Sequence, residues 1–186
     1  AWAKVQQLLA LMKSRGASDL FITAGFAPAI KLNGALTPVG HSALSAEDSA
    51  SLVQSLMNDR QRSEFATTSE CNFAISVEPI GRFRVSAFIQ QARAGMVIRT
   101  INTQIPDIDQ LDVPSQLKDI VMTKRGLVIM VGATGSGKST TLAAMIGHRN
   151  ANSHGHIITI EDPVEFVHPH RNCIVTHRDI GVDTES

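Results

Sequence analysis

Residues 132–139, GATGSGKS, have the composition and spacing of a loop that binds phosphate, since they fit the pattern G-x-x-x-x-G-K-[ST] without a mismatch. Glycines let successive backbone N–H groups turn inward around phosphate oxygens, where a Cβ would obstruct them. We expect Lys138 to place its ammonium on the β and γ phosphates of a nucleotide and Ser139 to offer its hydroxyl to Mg²⁺. The predicted binding residues are Gly132, Ala133, Thr134, Gly135, Ser136, Gly137, Lys138, Ser139 and Thr140.

The alternative is an ordinary glycine turn between a strand and a helix. The flanks favour phosphate binding, because the apolar, β-rich residues 127–131 predict a strand before the loop. The following TTLAAMIGH has apolar residues at helical spacing and predicts a helix from Lys138 to about His148.

A second acidic element, TIEDPVEF, places Glu161 and Asp162 at the end of a predicted strand over residues 156–160. In an open parallel sheet the carboxyl ends of the strands face one crevice, so these carboxylates can reach the Mg²⁺ and γ-phosphate region and orient water. The alternative is a strand-end cap or a turn at Asp162-Pro163.

Histidines and a cysteine crowd the last third of the chain and raise the possibility of zinc. They do not have the spacing of a closed tetrahedral site, so we predict solvated loop histidines instead. The residues concerned are His154, His156, His168, His170, Cys173 and His177. The charged tail THRDIGVDTES is predicted to be a surface segment.

Four arginines, Arg82, Arg84, Arg93 and Arg99, lie on or beside predicted hairpin strands. They can form a solvated strand face. Alternatively, some of them stabilise γ-phosphate charge as arginine fingers, in cis or from a neighbouring subunit. Their spacing alone does not decide between these roles.

The first part of the chain must position any such arginines, and its patterns predict an α+β domain with a mainly antiparallel sheet. Apolar periodicity and capping signals predict helices over residues 3–15, from the Ser45/Asp48 cap to Met57, and from Asp59 to Phe65. Alternation predicts strands over residues 18–25, 71–77, 82–91 and 95–101, and a hairpin over 29–39 that turns at Asn33-Gly34.

Residues 102–112, NTQIPDIDQLD, lose periodicity and are predicted to link this domain, residues 1–101, to a second one at 113–186. A helix over 114–123 should precede the strand, loop, helix and strand described above. That order is the beginning of a parallel α/β domain.

The composition of the chain argues against several classes of protein. Seventeen Lys plus Arg balance seventeen Asp plus Glu, and the chain has one Trp and no Tyr, which argues against a nucleic-acid motor with a basic, aromatic stripe. Cys71 and Cys173 lack paired spacing, and no apolar run is long enough for a membrane helix. We therefore predict a cytoplasmic protein.

Four segments together resemble the PilT/PilU family of secretion-type ATPases, which retract type IV pili: GASDLFITAG, GRFRVSAFIQ, RGLVIMVGATGSGKSTTLAAMIGHRN and HIITIEDPVEFVH. Within the family, ECNFAIS and VGATGSGKSTTLAAMIGHRN are more similar to the PilU branch than to the PilT branch. The resemblance implies a hexameric ring ATPase that uses ATP and Mg²⁺. It also implies a PAS-like first domain and the beginning of a RecA-like P-loop NTPase domain.

The same resemblance assigns roles by motif. Residues 132–140 match the Walker A segment, and Glu161, Asp162 and Glu165 lie in the family's Asp box, with Glu161 favoured over Asp162 as the catalytic carboxylate. Arg84 and Arg99 match first-domain arginines that approach the γ-phosphate.

The implied partners are further copies of the chain, a related retraction ATPase and an inner-membrane pilus platform protein, at the cytoplasmic face of the inner membrane. Two other roles stay open: a nucleotide-binding accessory partner of an active motor, and a pilus extension or type II secretion ATPase. The family continues into a Walker B strand and a histidine box, and neither occurs before Ser186. We therefore expect the chain to be part of a longer protein, and we do not expect it to complete ATP hydrolysis alone.

Overall fold

A computed structural model of the chain describes residues 1–102 and 104–185. The chain divides into two compact units, Ala1–Ile101 and Asn102–Ser186. Each unit has its own sheet.

The first unit is built on a six-stranded sheet in the order β3-β2-β1-β6-β5-β4, in which all neighbours are antiparallel. The predicted hairpin is confirmed, with Asn33 and Gly34 at φ 49° and 83°, the left-handed values that a tight turn requires. The strands are β1 (Asp19–Ile22), β2 (Ala29–Leu32), β3 (Ala35–Pro38), β4 (Glu70–Val77), β5 (Gly81–Gln90) and β6 (Arg93–Thr100).

Three helices pack their apolar residues against one face of this sheet. They are α1 (Trp2–Ser14), α2 (Ala46–Gln54) and α3 (Asp59–Thr68). Ser45 and Asp48 form the predicted capping box of α2, which ends before Met57, and α3 runs past Phe65. Because side chains alternate along a strand, Val85 and Ile98 face the core while Arg84 and Arg99 lie on the opposite face. The unit is the predicted PAS-like α+β domain.

The second unit contains α4 (Gln116–Met122), α5 (Lys138–Asn152), β7 (His156–Glu161) and β8 (Ile174–Asp179). The two strands pair in parallel, as expected for an α/β domain that begins a RecA-like fold. A 3₁₀ helix, Ile108–Gln110, lies in the predicted linker and buries Ile108 against Ala144 and Met145 of α5. The predicted linker therefore belongs to the second unit, which begins at Asn102.

The prediction of a strand over residues 127–131 is wrong, because the structure describes these residues and assigns them no strand. The side chains of Leu127 and Val131 are 83% and 86% exposed, and no described strand pairs with this segment. An apolar run supplies β-propensity, but a strand exists only when a ladder partner satisfies its backbone groups.

Two other boundaries differ from the predictions. The helix after the loop continues past His148 to Asn152, because Asn150 is buried in the unit rather than exposed beyond a helix end. The tail predicted to be a surface segment begins inside β8, since His177 and Asp179 pair with β7.

Among the described residues, no helix is long and apolar enough to span a bilayer. Over the same residues, no group of three or more histidine, cysteine, aspartate or glutamate side chains is arranged to hold a metal ion.

Candidate functional site

The loop before α5 has the backbone geometry of a phosphate loop. Gly135 and Gly137 have φ values of 79° and 85°, in the region where side chains with a Cβ are strained, and Gly137 immediately precedes the helix. A Cβ on Gly132 would lie 2.7 Å from the Oγ of Ser136. Positions 135 and 137 therefore favour glycine for their backbone conformation, and a Cβ at position 132 fits only if the Ser136 hydroxyl moves.

Donors converge on this loop. The ammonium of Lys138 donates to the carbonyls of Gly132 and Ala133, each at 2.7 Å, and so lies over the turn. No side chain caps α5. Within the described part of the chain, no hydrogen bond engages the backbone N–H groups of Lys138, Ser139 and Thr140. This site suits the phosphates of a nucleotide. It offers free N–H donors in the first turn of α5, the positive end of a 15-residue helix and one ammonium.

A cavity of about 230 Å³ joins the start of α5 to the end of β7, and we call it the Ser139–Glu161 cavity after the polar residues at its two sides. Its other walls include Leu142 of α5 and Phe166 of the loop after β7. The fold thus brings together the predicted Mg²⁺-binding hydroxyl and the carboxylate favoured for catalysis, which lie 22 positions apart in the sequence.

The other two carboxylates of this segment are placed differently. Asp162 follows the last residue of β7, and Asp162 and Glu165 are both exposed and absent from the walls of the cavity. Glu161 is half-buried, with 32% of its side chain accessible. Of the acidic residues in TIEDPVEF, Glu161 is therefore the one that shares a cavity with Ser139.

Two of the predicted loop histidines are not solvated, which corrects that prediction. His168 is 5% exposed, and His177 lies in β8 with its side chain 15% exposed. Burial, followed by electrostatic interactions with His177 and Arg171, lowers the pKa of His168 to about 4, so the His168 ring is neutral at pH 7. The rings of His168 and His177 stack with their centroids 5.7 Å apart. Their burial depends on the pairing of β8 with β7, which sequence spacing does not reveal.

Asn150 anchors the loop that carries His168, a role that sequence reasoning missed. The side chain is 1% exposed, and its Nδ2 donates to the carbonyl of Pro169 at 2.7 Å. Its Oδ1 accepts from the backbone N–H groups of Arg171 and Cys173, each at 3.3 Å. One amide thus satisfies three backbone groups of a segment without regular structure. An asparagine near a helix end is too common a feature to have signalled this role.

Arg84 and Arg99 lie in the first unit, directly opposite each other on β5 and β6. Like charges in such a pair repel, and the repulsion is offset by Asp19, which faces Arg99 from β1 and accepts from its Nε at 3.0 Å. Burial raises the pKa of Asp19, but hydrogen bonds from Ser18 and Arg99 and the nearby positive charges outweigh it and hold that pKa below 3.8. The Arg99 side chain is 71% exposed.

A profile of the family described as Type II/IV secretion system protein matches residues 5–186. The chain belongs to this family. The type IV pilus ATPase PilU of Pseudomonas aeruginosa is 58% identical over 181 residues, which are 97% of this chain and 47% of that protein. The type IV pilus retraction ATPase PilT of the same organism is 41% identical over 180 residues, covering 97% of this chain and 52% of that protein.

Among solved structures, the pilus retraction motor PilT with bound ADP matches with a TM-score of 0.87 and 36% identity over 96% of this chain and 53% of that one. This match confirms the predicted fold class, and the two relatives confirm the predicted PilT/PilU family with greater similarity to PilU. The chain spans about half the length of the secretion ATPases that it matches.

Proposed function

We propose that this chain supplies the ATP-binding residues of a type IV pilus retraction motor that drives twitching motility. The observation that carries the proposal is the Ser139–Glu161 cavity, which places a hydroxyl suited to Mg²⁺ and a carboxylate beside a loop of phosphate-binding geometry. Similarity to PilU and PilT supports the same function.

The backbone of the loop, Lys138 and Ser139 contribute to binding in different ways. The glycine-rich turn and the first-turn amides of α5 hold the phosphate oxygens, and Lys138 exchanges its loop carbonyls for the β and γ phosphates. Ser139 holds Mg²⁺, which supplies positive charge against the phosphate oxygens. These residues bind the triphosphate and bring its terminal phosphate toward the cavity.

Glu161 acts on the attacking water from the far side of the cavity. Its carboxylate orients the water and accepts its proton as the water oxygen bonds to the γ-phosphorus and the bond to the β-γ bridging oxygen breaks. Asp162, the next residue, is the second candidate for this role, and its exposure makes it the weaker one.

Arg84 and Arg99 are proposed to act as arginine fingers from the first unit, on the γ-phosphate of the same or a neighbouring subunit. The assembly we propose is a cytoplasmic hexamer that works with a related retraction ATPase and an inner-membrane pilus platform protein. Contact between the arginines and the γ-phosphate would hold subunits closed, and phosphate loss would release them.

Mg-ATP binding and turnover by the full-length protein test the proposal, with Lys138→Ala compared with Lys124→Ala, a matched change of an exposed lysine outside the loop. We expect calorimetry to show binding that Lys138→Ala abolishes and Lys124→Ala retains. Glu161→Gln should keep binding while phosphate release falls at least about 100-fold. If the full-length protein takes up no Mg-nucleotide, the function is refuted. If it binds nucleotide without turnover, the accessory role is the correct one.

A further inference from the structure

The imidazole of His177 joins two residues that line the Ser139–Glu161 cavity. His177 lies directly opposite Thr159 in the parallel ladder of β7 and β8, and its Nδ1 is 2.8 Å from the Thr159 Oγ1. Its Nε2 accepts from the backbone N–H of His168 at 2.9 Å. Thr159 and His168 are both wall residues of the cavity, whereas His177 is not.

These contacts fix the proton on His177. A backbone N–H can only donate, so Nε2 must carry the lone pair that accepts from His168. A neutral imidazole has one accepting nitrogen, so Nδ1 carries the hydrogen and donates to the Thr159 hydroxyl. The contacts are satisfied by the neutral ring in one of its two tautomers.

The third side chain within reach is Glu161, whose Oε2 is 3.9 Å from the same Nδ1. This distance is too long for a hydrogen bond but short enough for the N–H dipole to attract the carboxylate. The other charged group on this side of the ladder is Asp179, which lies opposite Glu161 and accepts from the backbone N–H of Val164. The position of the His177 ring therefore affects the positions of Thr159, Glu161 and His168.

We propose that His177 is a positioning residue that sets the direction of the Glu161 carboxylate. His177 connects the end of β7 to the loop that carries His168, so that the Glu161 carboxylate is directed toward Ser139 rather than toward solvent. The inference rests on the proposed function, in which Glu161 acts on the attacking water. His177 is not a wall residue of the cavity and works through Thr159, His168 and Glu161.

Steady-state kinetics of the full-length protein test this with two substitutions. His177→Leu keeps a similar volume but removes both hydrogen bonds. His177→Gln carries an acceptor and a donor on one amide and can replace both bonds. We expect His177→Leu to lower kcat about tenfold or more while KM for Mg-ATP changes less than about twofold, because a misplaced catalytic group slows the reaction without weakening binding. His177→Gln should recover kcat to within about threefold of the wild type.

Nitrogen NMR of histidine-labelled chain gives a readout that does not depend on activity. We expect His177, assigned by its loss in His177→Gln, to show a protonated Nδ1 and an unprotonated Nε2 at pH 7. An Nε2-protonated ring would refute the inference, since that nitrogen could not accept from His168.

The outcomes separate the two proposals. If circular dichroism shows a folded His177→Leu protein whose kcat equals that of the wild type, or if His177→Gln fails as severely as His177→Leu, the positioning role is refuted and the proposed function stands. If the wild-type protein does not hydrolyse ATP, the proposed function is refuted, and the positioning role is refuted with it.

Discussion

Replacing Asp19 by Asn removes the charge that holds Arg99 in place, and the structure sets the size of the effect. Asp19 is 5% exposed, and its carboxylate accepts from the Ser18 hydroxyl at 2.7 Å and from the Arg99 Nε at 3.0 Å. A hydrogen bond to a charged group contributes about 1.5 to 3 kcal/mol. Because the Arg99 side chain is 71% exposed and regains water, its share is smaller. We expect the free energy of unfolding to fall by about 1 to 2 kcal/mol.

The pH dependence follows from the lowered pKa of Asp19. A carboxyl whose pKa is lower in the folded state than in the unfolded chain stabilises the fold above its unfolded pKa, and this contribution is lost as pH falls through the folded value. The difference between wild type and Asp19→Asn should therefore be constant at neutral pH and shrink once the pH drops below the ordinary value of 3.8.

Urea unfolding followed by tryptophan fluorescence measures this effect in the correct unit, since Trp2 is the one tryptophan and lies in α1. Asp59→Asn is the matched control, because Asp59 pairs with Arg62 on the surface of the same unit and is fully exposed. Because Asp59 is the first residue of α3 and interacts with the helix dipole, we expect the control to lower the urea midpoint slightly, and less than Asp19→Asn does. The reasoning is refuted if Asp19→Asn unfolds at the same midpoint as Asp59→Asn, or if its difference from wild type grows as the pH falls.

Two further substitutions test the second unit. Gly132→Ala brings a Cβ against the Ser136 Oγ and should weaken Mg-ATP binding about tenfold in calorimetry. Gly155→Ala is the control, because a Cβ there meets nothing within 4 Å, and it should leave the affinity unchanged. Equal affinities of the two variants would show that the loop tolerates the side chain. Asn150→Ala removes the partner of the Pro169 carbonyl and of the Cys173 N–H, and one of the two acceptors of the Arg171 N–H. It should therefore expose Cys173 to thiol reagents, measured by mass spectrometry with the other buried cysteine as internal control. Unchanged labelling of Cys173 would show that the amide does not hold the loop.

Features set by neighbouring residues could be predicted from the sequence. The phosphate loop is one, because Gly132, Gly135, Gly137 and Lys138 lie within seven residues and supply its geometry. The Asn33-Gly34 hairpin and the Ser45 cap of α2 are others, each closed by hydrogen bonds over a few residues. The apolar residues 127–131 show where such prediction fails. Their strand propensity is a local property, but a strand also needs a pairing partner, which the local sequence does not reveal.

The position of Glu161 near the phosphate loop could be predicted, but the contacts that β8 makes behind it could not be, because they depend on register. The sequence predicts a strand over residues 156–160 but a surface segment from Thr176 onward, so the partner strand β8 is missed. The parallel pairing sets Thr159 against His177 and Glu161 against Asp179. A shift of one residue would move His177 to the other face of the ladder and away from His168 and Glu161. The pairing of Thr159 with His177 thus connects the polar residues on the side of the cavity that faces Ser139. This pairing depends on contacts between strands and not on any local motif.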